Sequence, residues 1–191
     1  MKPGKLLLMS GGARSGKSTF ADRYAKQSGR RVVYVATARV LDEEMKARVQ
    51  THRASRPSVW LTVEEPYNLE KALWRYGRQP DKLVLVDCLT MWLANILLQK
   101  VGFQGEQLMA DTTLASAVAA DIIVRAKNAA VLAAKVAAEV VLVTNEVGWG
   151  PVPDNPLARL YRDLASLANQ AFAAQATEFY LLVAGLPLQL K

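Results

Sequence analysis

Gly11-Gly12-Ala13-Arg14-Ser15-Gly16-Lys17-Ser18 fits the spacing G-x-x-x-x-G-K-[ST]. Its flanks decide how it is read. Lys5–Ser10 (KLLLMS) is a short apolar run, and Ser18–Lys26 (STFADRYAK) has the composition of a helix's first turns. Strand, glycine-rich loop and helix, in that order, make a phosphate-binding P-loop. The glycines let the backbone turn so that successive N–H groups face one anion. The helix N-terminus adds partial positive charge, and Lys17 adds a full charge near the β- and γ-phosphates. Ser18 offers a hydroxyl to Mg²⁺. Arg14 lies inside the loop, where a guanidinium either reaches phosphate oxygens or stands in solvent.

Outward from this loop the chain alternates strands and helices. Arg31–Thr37 (RVVYVAT) is rich in β-branched residues and reads as a strand. Asp42-Glu43-Glu44 opens a helix with acids in its first turn; it runs to about Ala54 and stops at Arg56-Pro57. Trp60–Glu65 reads as a short strand or an extended loop, and Tyr67–Tyr76 as a helix closed by Gly77. Leu83–Cys88 (LVLVDC) is a buried-type strand that delivers a carboxylate at its end. Leu89–Val101 is an apolar helix, Gly102–Gly105 a loop, and Leu108–Ala138 an alanine-rich helical region with Asn128 as a weak point. Glu139–Thr144 reads as a strand, 145–156 as a loop, Leu157–Ala176 as a helix and Glu178–Ala184 as the last strand. The alternation predicts one α/β domain over residues 1–191, a mostly parallel twisted sheet with helices on both faces, P-loop NTPase-like. Ligands of such sheets bind outside the carboxyl ends of the strands. That rule collects the P-loop, Thr37, Asp87 and Asn145-Glu146 around one crevice.

Composition narrows the chemistry. The chain has 191 residues, 51% of them hydrophobic, which is incompatible with a disordered chain. Cys88 is the one cysteine and His52 the one histidine, so disulfide frameworks, Cys-rich zinc sites and His-pair metal motifs are excluded. The remaining metal is Mg²⁺ held by oxygens and phosphates. No apolar stretch reaches membrane-spanning length and no signal peptide is recognisable, so a cytoplasmic protein is expected. The net charge of +7 is spread along the chain without a nucleic-acid-binding motif. It points to anionic nucleotides as ligands rather than to nucleic acid.

Four further places carry candidate chemistry. Asp87 resembles a Walker B acid that holds Mg²⁺; the alternative is a cap of the next helix near Thr90. His52 lies near the end of its helix beside Arg53, with Arg48 a turn earlier. Such a histidine is either a structural or solvated group, or, next to a nucleotide, a neutral nucleophile able to attack an α-phosphate. Glu64-Glu65 either accepts hydrogen bonds from a base or ribose, binds Mg²⁺, or forms a solvated acidic turn. Asn145-Glu146 sits at the crevice edge or makes an Asx-type turn.

Four stretches together resemble one family: GGARSGKS (11–18), YVATARVLDEEMKARVQTHRASRP (34–57), LVDCLTMWLANIL (85–97) and VLVTNEVGWGPVPDNPLARLYRDL (141–164). The family is the bifunctional adenosylcobinamide kinase / adenosylcobinamide-phosphate guanylyltransferase of cobalamin biosynthesis. The resemblance implies phosphoryl transfer from ATP or GTP to the aminopropanol hydroxyl of adenosylcobinamide, a corrinoid. It further implies GMP transfer from GTP to that phosphate, with adenosylcobinamide-GDP and pyrophosphate as products. The family's guanylylated histidine falls on His52, and Lys17 serves as a catalytic cation. Nucleotide contacts carry over to Gly11, Gly12, Ala13, Arg14, Ser15, Gly16, Lys17 and Ser18, to Thr37, Ala38 and Arg39, to Arg53, Ala54, Ser55 and Arg56, and to Glu64 and Asp87. Ser18 and Asp87 would hold Mg²⁺. A homo-oligomer, a trimer, is implied as well. This sequence departs from the family in lacking a glycine within 52–57, and in carrying Asp87 where some members have glutamate. Two readings stand beside this one: a single-reaction P-loop kinase, which needs no histidine, and a nucleotide-dependent switch module, which transfers nothing.

Overall fold

Each apolar run read above is a strand in the computed structural model, which describes residues 2–40, 42–54, 56–102 and 112–191. The strands are β1 (Leu6–Gly11), β2 (Arg31–Ala36), β3 (Leu61–Glu64), β4 (Lys82–Asp87), β5 (Glu139–Val143), β6 (Glu178–Val183) and β7 (Leu186–Gln189). The helices among the described residues are α1 (Lys17–Gln27), α2 (Glu43–Ala54), α3 (Leu69–Tyr76), α4 (Leu89–Val101), α5 (Thr112–Lys135) and α6 (Pro156–Gln175). Trp60–Glu65 thus resolves as a strand, and Asn128 lies inside one continuous helix. Residues 103–105 of the expected loop and 108–111 of the expected helical region lie outside the described residues.

The seven strands form one sheet in the order β3-β2-β4-β5-β1-β6-β7. All neighbours pair in parallel except β6 and β7, which form an antiparallel hairpin.

The side-chain period of two sorts the strands into two faces. Leu6, Leu8, Val33, Val35, Val84, Val86, Val140 and Leu142 pack with α3, α4, α5 and α6. Leu7, Met9, Val32, Tyr34, Leu83, Leu85, Val141 and Val143 pack with Ala21 and Ala25 of α1. Helices therefore cover both faces, as the alternating pattern predicts; β1 and β5 are buried along their length, and β4 at all but its two end residues. Burial on both faces explains why these strands read as continuous apolar runs. Asn155 accepts the Ala158 N–H at 3.0 Å and Pro156 follows it, which fixes the start of α6.

β7 is an addition that the apolar runs do not announce. It follows the turn Ala184-Gly185, whose φ values of 51° and 84° are both left-handed. Its leucines are exposed: Leu186 is 72% accessible.

Candidate functional site

The register of the parallel strands draws the floor of the site. Ala36 pairs with Glu64 on one side and Asp87 on the other. Asp87 pairs with Val143, and Val143 pairs with Met9. Glu64, Asp87 and Met9 near the end of β1 thus lie on one line across the sheet, spanning roughly 19 Å at about 4.8 Å per strand. A cavity of about 850 Å³ opens above this line.

The P-loop forms one wall. Gly16 adopts φ 93° and approaches Gly185 so closely that a β-carbon would lie 3.0 Å from the Gly185 Cα. Arg14 is held at φ 56°, a left-handed conformation unusual outside glycine. Ala13, Arg14, Lys17 and Ser18 face the cavity. Gly11, Gly12, Ser15 and Gly16 shape the loop behind them. The Lys17 Nζ donates to the Gly12 carbonyl at 2.9 Å. Burial lowers the lysine's pKa, against the opposing pull of Cys88 and Asp87. The ammonium is thus poorly compensated, which suits it to an incoming phosphate.

Asp87 faces the same cavity. Its Oδ2 accepts the Tyr34 hydroxyl at 2.6 Å. Burial, reinforced by the neighbouring carboxylate, raises the phenol's pKa, so Tyr34 keeps its proton and donates. The N-cap of α4 is Cys88, with no side-chain cap bond, so Asp87 does not serve as a helix cap. The Cys88 thiol is pushed up to about 11, chiefly by burial, and is no nucleophile at neutral pH.

Thr37 stands at the end of β2 with its side chain turned into the core. It is fully buried; its hydroxyl donates to the Cys88 carbonyl at 2.7 Å and accepts the Cys88 N–H at 2.8 Å. Its own carbonyl accepts the Asn95 amide at 2.7 Å. Thr37 therefore braces the ends of β2 and β4, and Ala38 and Arg39 beyond it face the cavity. The two adjacent glutamates also separate. Glu64 lines the cavity, whereas Glu65 Oε1 accepts the Asn68 N–H at 2.9 Å and holds a turn.

The opposite wall is α2. His52 and Arg53 project from it toward the cavity, together with Arg56 just beyond it. The Arg56 guanidinium lies 3.3 Å from the centroid of the Tyr34 ring, a cation–π contact that ties the end of α2 to β2. Trp60 stacks near the same ring, with centroids 6.5 Å apart. Ala54 is exposed and does not line the cavity. Ser55 lies outside the described residues. Asn145 completes the site: its amide donates to the Thr90 hydroxyl at 2.7 Å.

Tyr34, Asn95 and Asn169 are positioning residues that motif spacing does not reveal. Each carries a faint signal, as a polar-tipped side chain inside an otherwise apolar strand or helix. Among the described residues no cluster of three or more His, Cys, Asp or Glu is placed to hold a metal ion. Ser18 and Asp87 fit a metal that arrives on a nucleotide, since Mg²⁺ commonly takes one or two protein oxygens and completes its shell with phosphates and water. Among those residues no helix is long and apolar enough to cross a membrane.

A family model described as cobinamide kinase / cobinamide phosphate guanyltransferase matches residues 7–190. The bifunctional adenosylcobalamin biosynthesis protein CobU of Escherichia coli (strain K12) is 38% identical over 186 residues, 97% of this chain and 99% of that protein. The bifunctional adenosylcobalamin biosynthesis protein CobP of Pseudomonas aeruginosa is 39% identical over 188 residues, 96% of each chain. A solved structure from Pyrococcus horikoshii OT3 aligns with a TM-score of 0.51 and 10% identity, covering 100% of this chain and 88% of that one. At that identity the likeness concerns the fold alone.

Proposed function

The chain belongs to the cobinamide kinase / cobinamide phosphate guanyltransferase family, and from that premise we propose how its residues divide two reactions. The first phosphorylates adenosylcobinamide from ATP or GTP. The second transfers GMP from GTP to the resulting phosphate, giving adenosylcobinamide-GDP and pyrophosphate. The observation that carries this reading is one shared cavity. Lys17, Ser18 and Asp87 reach it from the sheet edge, and His52, Arg53 and Arg56 reach it from α2. A phosphate cradle alone makes a kinase; a histidine facing the same space adds a nucleophile.

In the kinase step the loop amides and Lys17 hold the β- and γ-phosphates and neutralise the charge developing on the transferred group. Ser18 and Asp87 would hold Mg²⁺, which when bound shares that neutralisation. In the second reaction a ring nitrogen of His52 attacks the α-phosphorus of GTP. A P–N bond forms, the bond to the bridging oxygen breaks, and pyrophosphate leaves with the electron pair while the imidazole proton passes to solvent. A phosphate oxygen of the corrinoid then attacks the same phosphorus, a P–O bond forms, and the P–N bond breaks to restore His52. Arg39, Arg53 and Arg56 supply positive charge around the phosphates, and Glu64 accepts hydrogen bonds from base or ribose.

Incubation with GTP labelled at the α-phosphate tests the division. The expected result is a labelled protein, acid-labile and alkali-stable, and no label in His52→Asn. Absence of any adduct in the wild-type protein overturns the guanylyl-transfer half and leaves a single-reaction kinase.

A further inference from the structure

We propose that Asn145 orients the acceptor hydroxyl against the γ-phosphate in the kinase step, a role that rests on the kinase reading above. The sheet order places β5 between the P-loop strand β1 and the Asp87 strand β4. Val143 pairs with Met9 on one side and with Asp87 on the other. The chain therefore leaves β5 between the phosphate loop and the acid, about 4.8 Å from each strand. Two residues on, Asn145 faces the cavity with Lys17, Ser18 and Asp87. His52 comes from the helix after β2, on the far side of β4.

Asn145 is held more firmly than a surface loop residue. Asn169, 7% exposed on α6, donates from its amide to the Asn145 carbonyl and to Glu146 Oε1, both at 3.1 Å. The Thr144 hydroxyl donates to Asn169 Oδ1 at 2.7 Å. The Glu146 carboxylate also accepts the hydroxyl of Ser10, and the Glu146 N–H donates to the Gly11 carbonyl at 3.1 Å. The turn carrying Asn145 is thereby fastened to the base of the P-loop through a buried bond and several half-buried ones, a network that favours one arrangement when every member is satisfied. The Asn145 amide nitrogen donates to the Thr90 hydroxyl at 2.7 Å and reaches the Cys88 sulfur at 4.0 Å, which directs its two N–H groups toward the start of α4 and leaves Oδ1 as the atom the side chain has to offer.

Oδ1 is a neutral acceptor. It takes a hydrogen bond from an approaching O–H without repelling the γ-phosphate, as a carboxylate would. The held hydroxyl oxygen forms its bond to phosphorus as the bond to the bridging oxygen breaks. The nucleoside diphosphate leaves with the electron pair, and the hydroxyl proton passes late to an oxygen of the transferred phosphoryl group. In-line positioning of this kind is the larger part of phosphoryl-transfer catalysis.

The test begins with phosphorylation of adenosylcobinamide by the wild-type protein, using ATP or GTP. No product at that stage overturns the kinase reading and this proposal with it. With an active wild type, Asn145→Ala is expected to lower the kinase kcat by about thirtyfold or more, while the KM for nucleotide shifts by less than about threefold. Labelling of His52 from α-labelled GTP should fall far less than the kinase rate. Asn145→Asp, of the same size, removes the N–H donated to Thr90 and sets a charge beside the phosphate; it should lose kinase activity in the same selective way, and it serves where the alanine variant does not fold. A kinase rate within twofold of wild type in a folded variant overturns the proposal. Equal loss of both activities with a raised nucleotide KM does so too, because that pattern means only that the P-loop has been disturbed.

Discussion

The two walls of the crevice are built differently. The wall made by β1, β4 and β5 is fastened from beneath: Ser10, Thr37, Thr144 and Asn169 are buried, and each side chain makes a hydrogen bond that fixes a strand end. The wall made by α2 is laid on the surface. None of its described side chains is buried, and His52 and Arg53 are exposed. Its C-terminal end is tied down by the Arg56–Tyr34 contact. An element with so little buried surface can be displaced at small cost, whereas the strand ends move only with the core. The difference suits two reactions at different phosphorus atoms: a fixed cradle serves both, and the adaptable wall carries the nucleophile that only one requires.

The largest effect is expected where both reactions share a group. Lys17→Ala should lower kinase turnover and His52 labelling together, by about a hundredfold or more, as loss of one preorganised charge commonly does. Paired rate measurements on the same preparation check this. A kinase rate unaffected by the substitution would take Lys17 out of the fixed wall and break the comparison. His52→Asn is its complement, removing a group from the adaptable wall.

The fixed wall was the more legible of the two in the sequence, for a physical reason. The P-loop is local: its loop, lysine and serine are contiguous, and the backbone geometry depends on residues within the motif. Strands buried on both faces announce themselves as apolar runs ending at the crevice. What holds the wall together is not local. Tyr34 reaches Asp87 across 53 residues of sequence, through the register of β2 on β4. Asn169 reaches back to Asn145 and Glu146 only because α6 packs back against the sheet. Thr37 sits at the crevice edge, as strand order requires, yet its side chain turns into the core, and no spacing rule gives that direction. β7 escaped because an edge strand needs no apolar pattern: it is four residues long, contains Pro187 and is exposed throughout. For α2 the helix was readable, but the facing of His52 toward the phosphate loop was not; resemblance rather than periodicity singled it out.

A middle-sized effect should come from the joint between the walls. Tyr34 donates to Asp87 and carries Arg56 on its ring. Tyr34→Phe keeps the ring and removes the hydroxyl. The bond to a charged group contributes about 1.5–3 kcal/mol, and thermal or denaturant unfolding should record a loss of that order. Freed from Tyr34, Asp87 should bind Mg²⁺ differently, so the Mg²⁺ concentration for half-maximal kinase rate should shift while the cation–π contact persists. Unchanged stability and unchanged Mg²⁺ dependence would mean that the hydroxyl fixes nothing. Tyr34→Leu, which removes the ring as well, should in addition loosen α2 and depress His52 labelling.

The smallest effect concerns Asp22, on α1 one turn beyond Ser18. Its carboxyl is raised above the ordinary value, first by burial and then by the Asp87 charge, while Arg56, Lys26 and His52 pull it down. The folded pKa exceeds the unfolded one, so the folded protein holds the proton more tightly. The stability this gives is full below the unfolded pKa of 3.8 and is lost as pH rises through the folded value. At neutral pH the ionised Asp22 is therefore a net cost to the fold. Asp22→Asn should raise the melting temperature at pH 7 by about a degree or two, and the gain should vanish as the pH falls toward 4. A gain that is the same at both pH values would assign the effect to packing instead. A loss at pH 7 would mean that Arg56 and His52 outweigh burial and Asp87, so that the exposed wall leans on Asp22 for its place beside the P-loop.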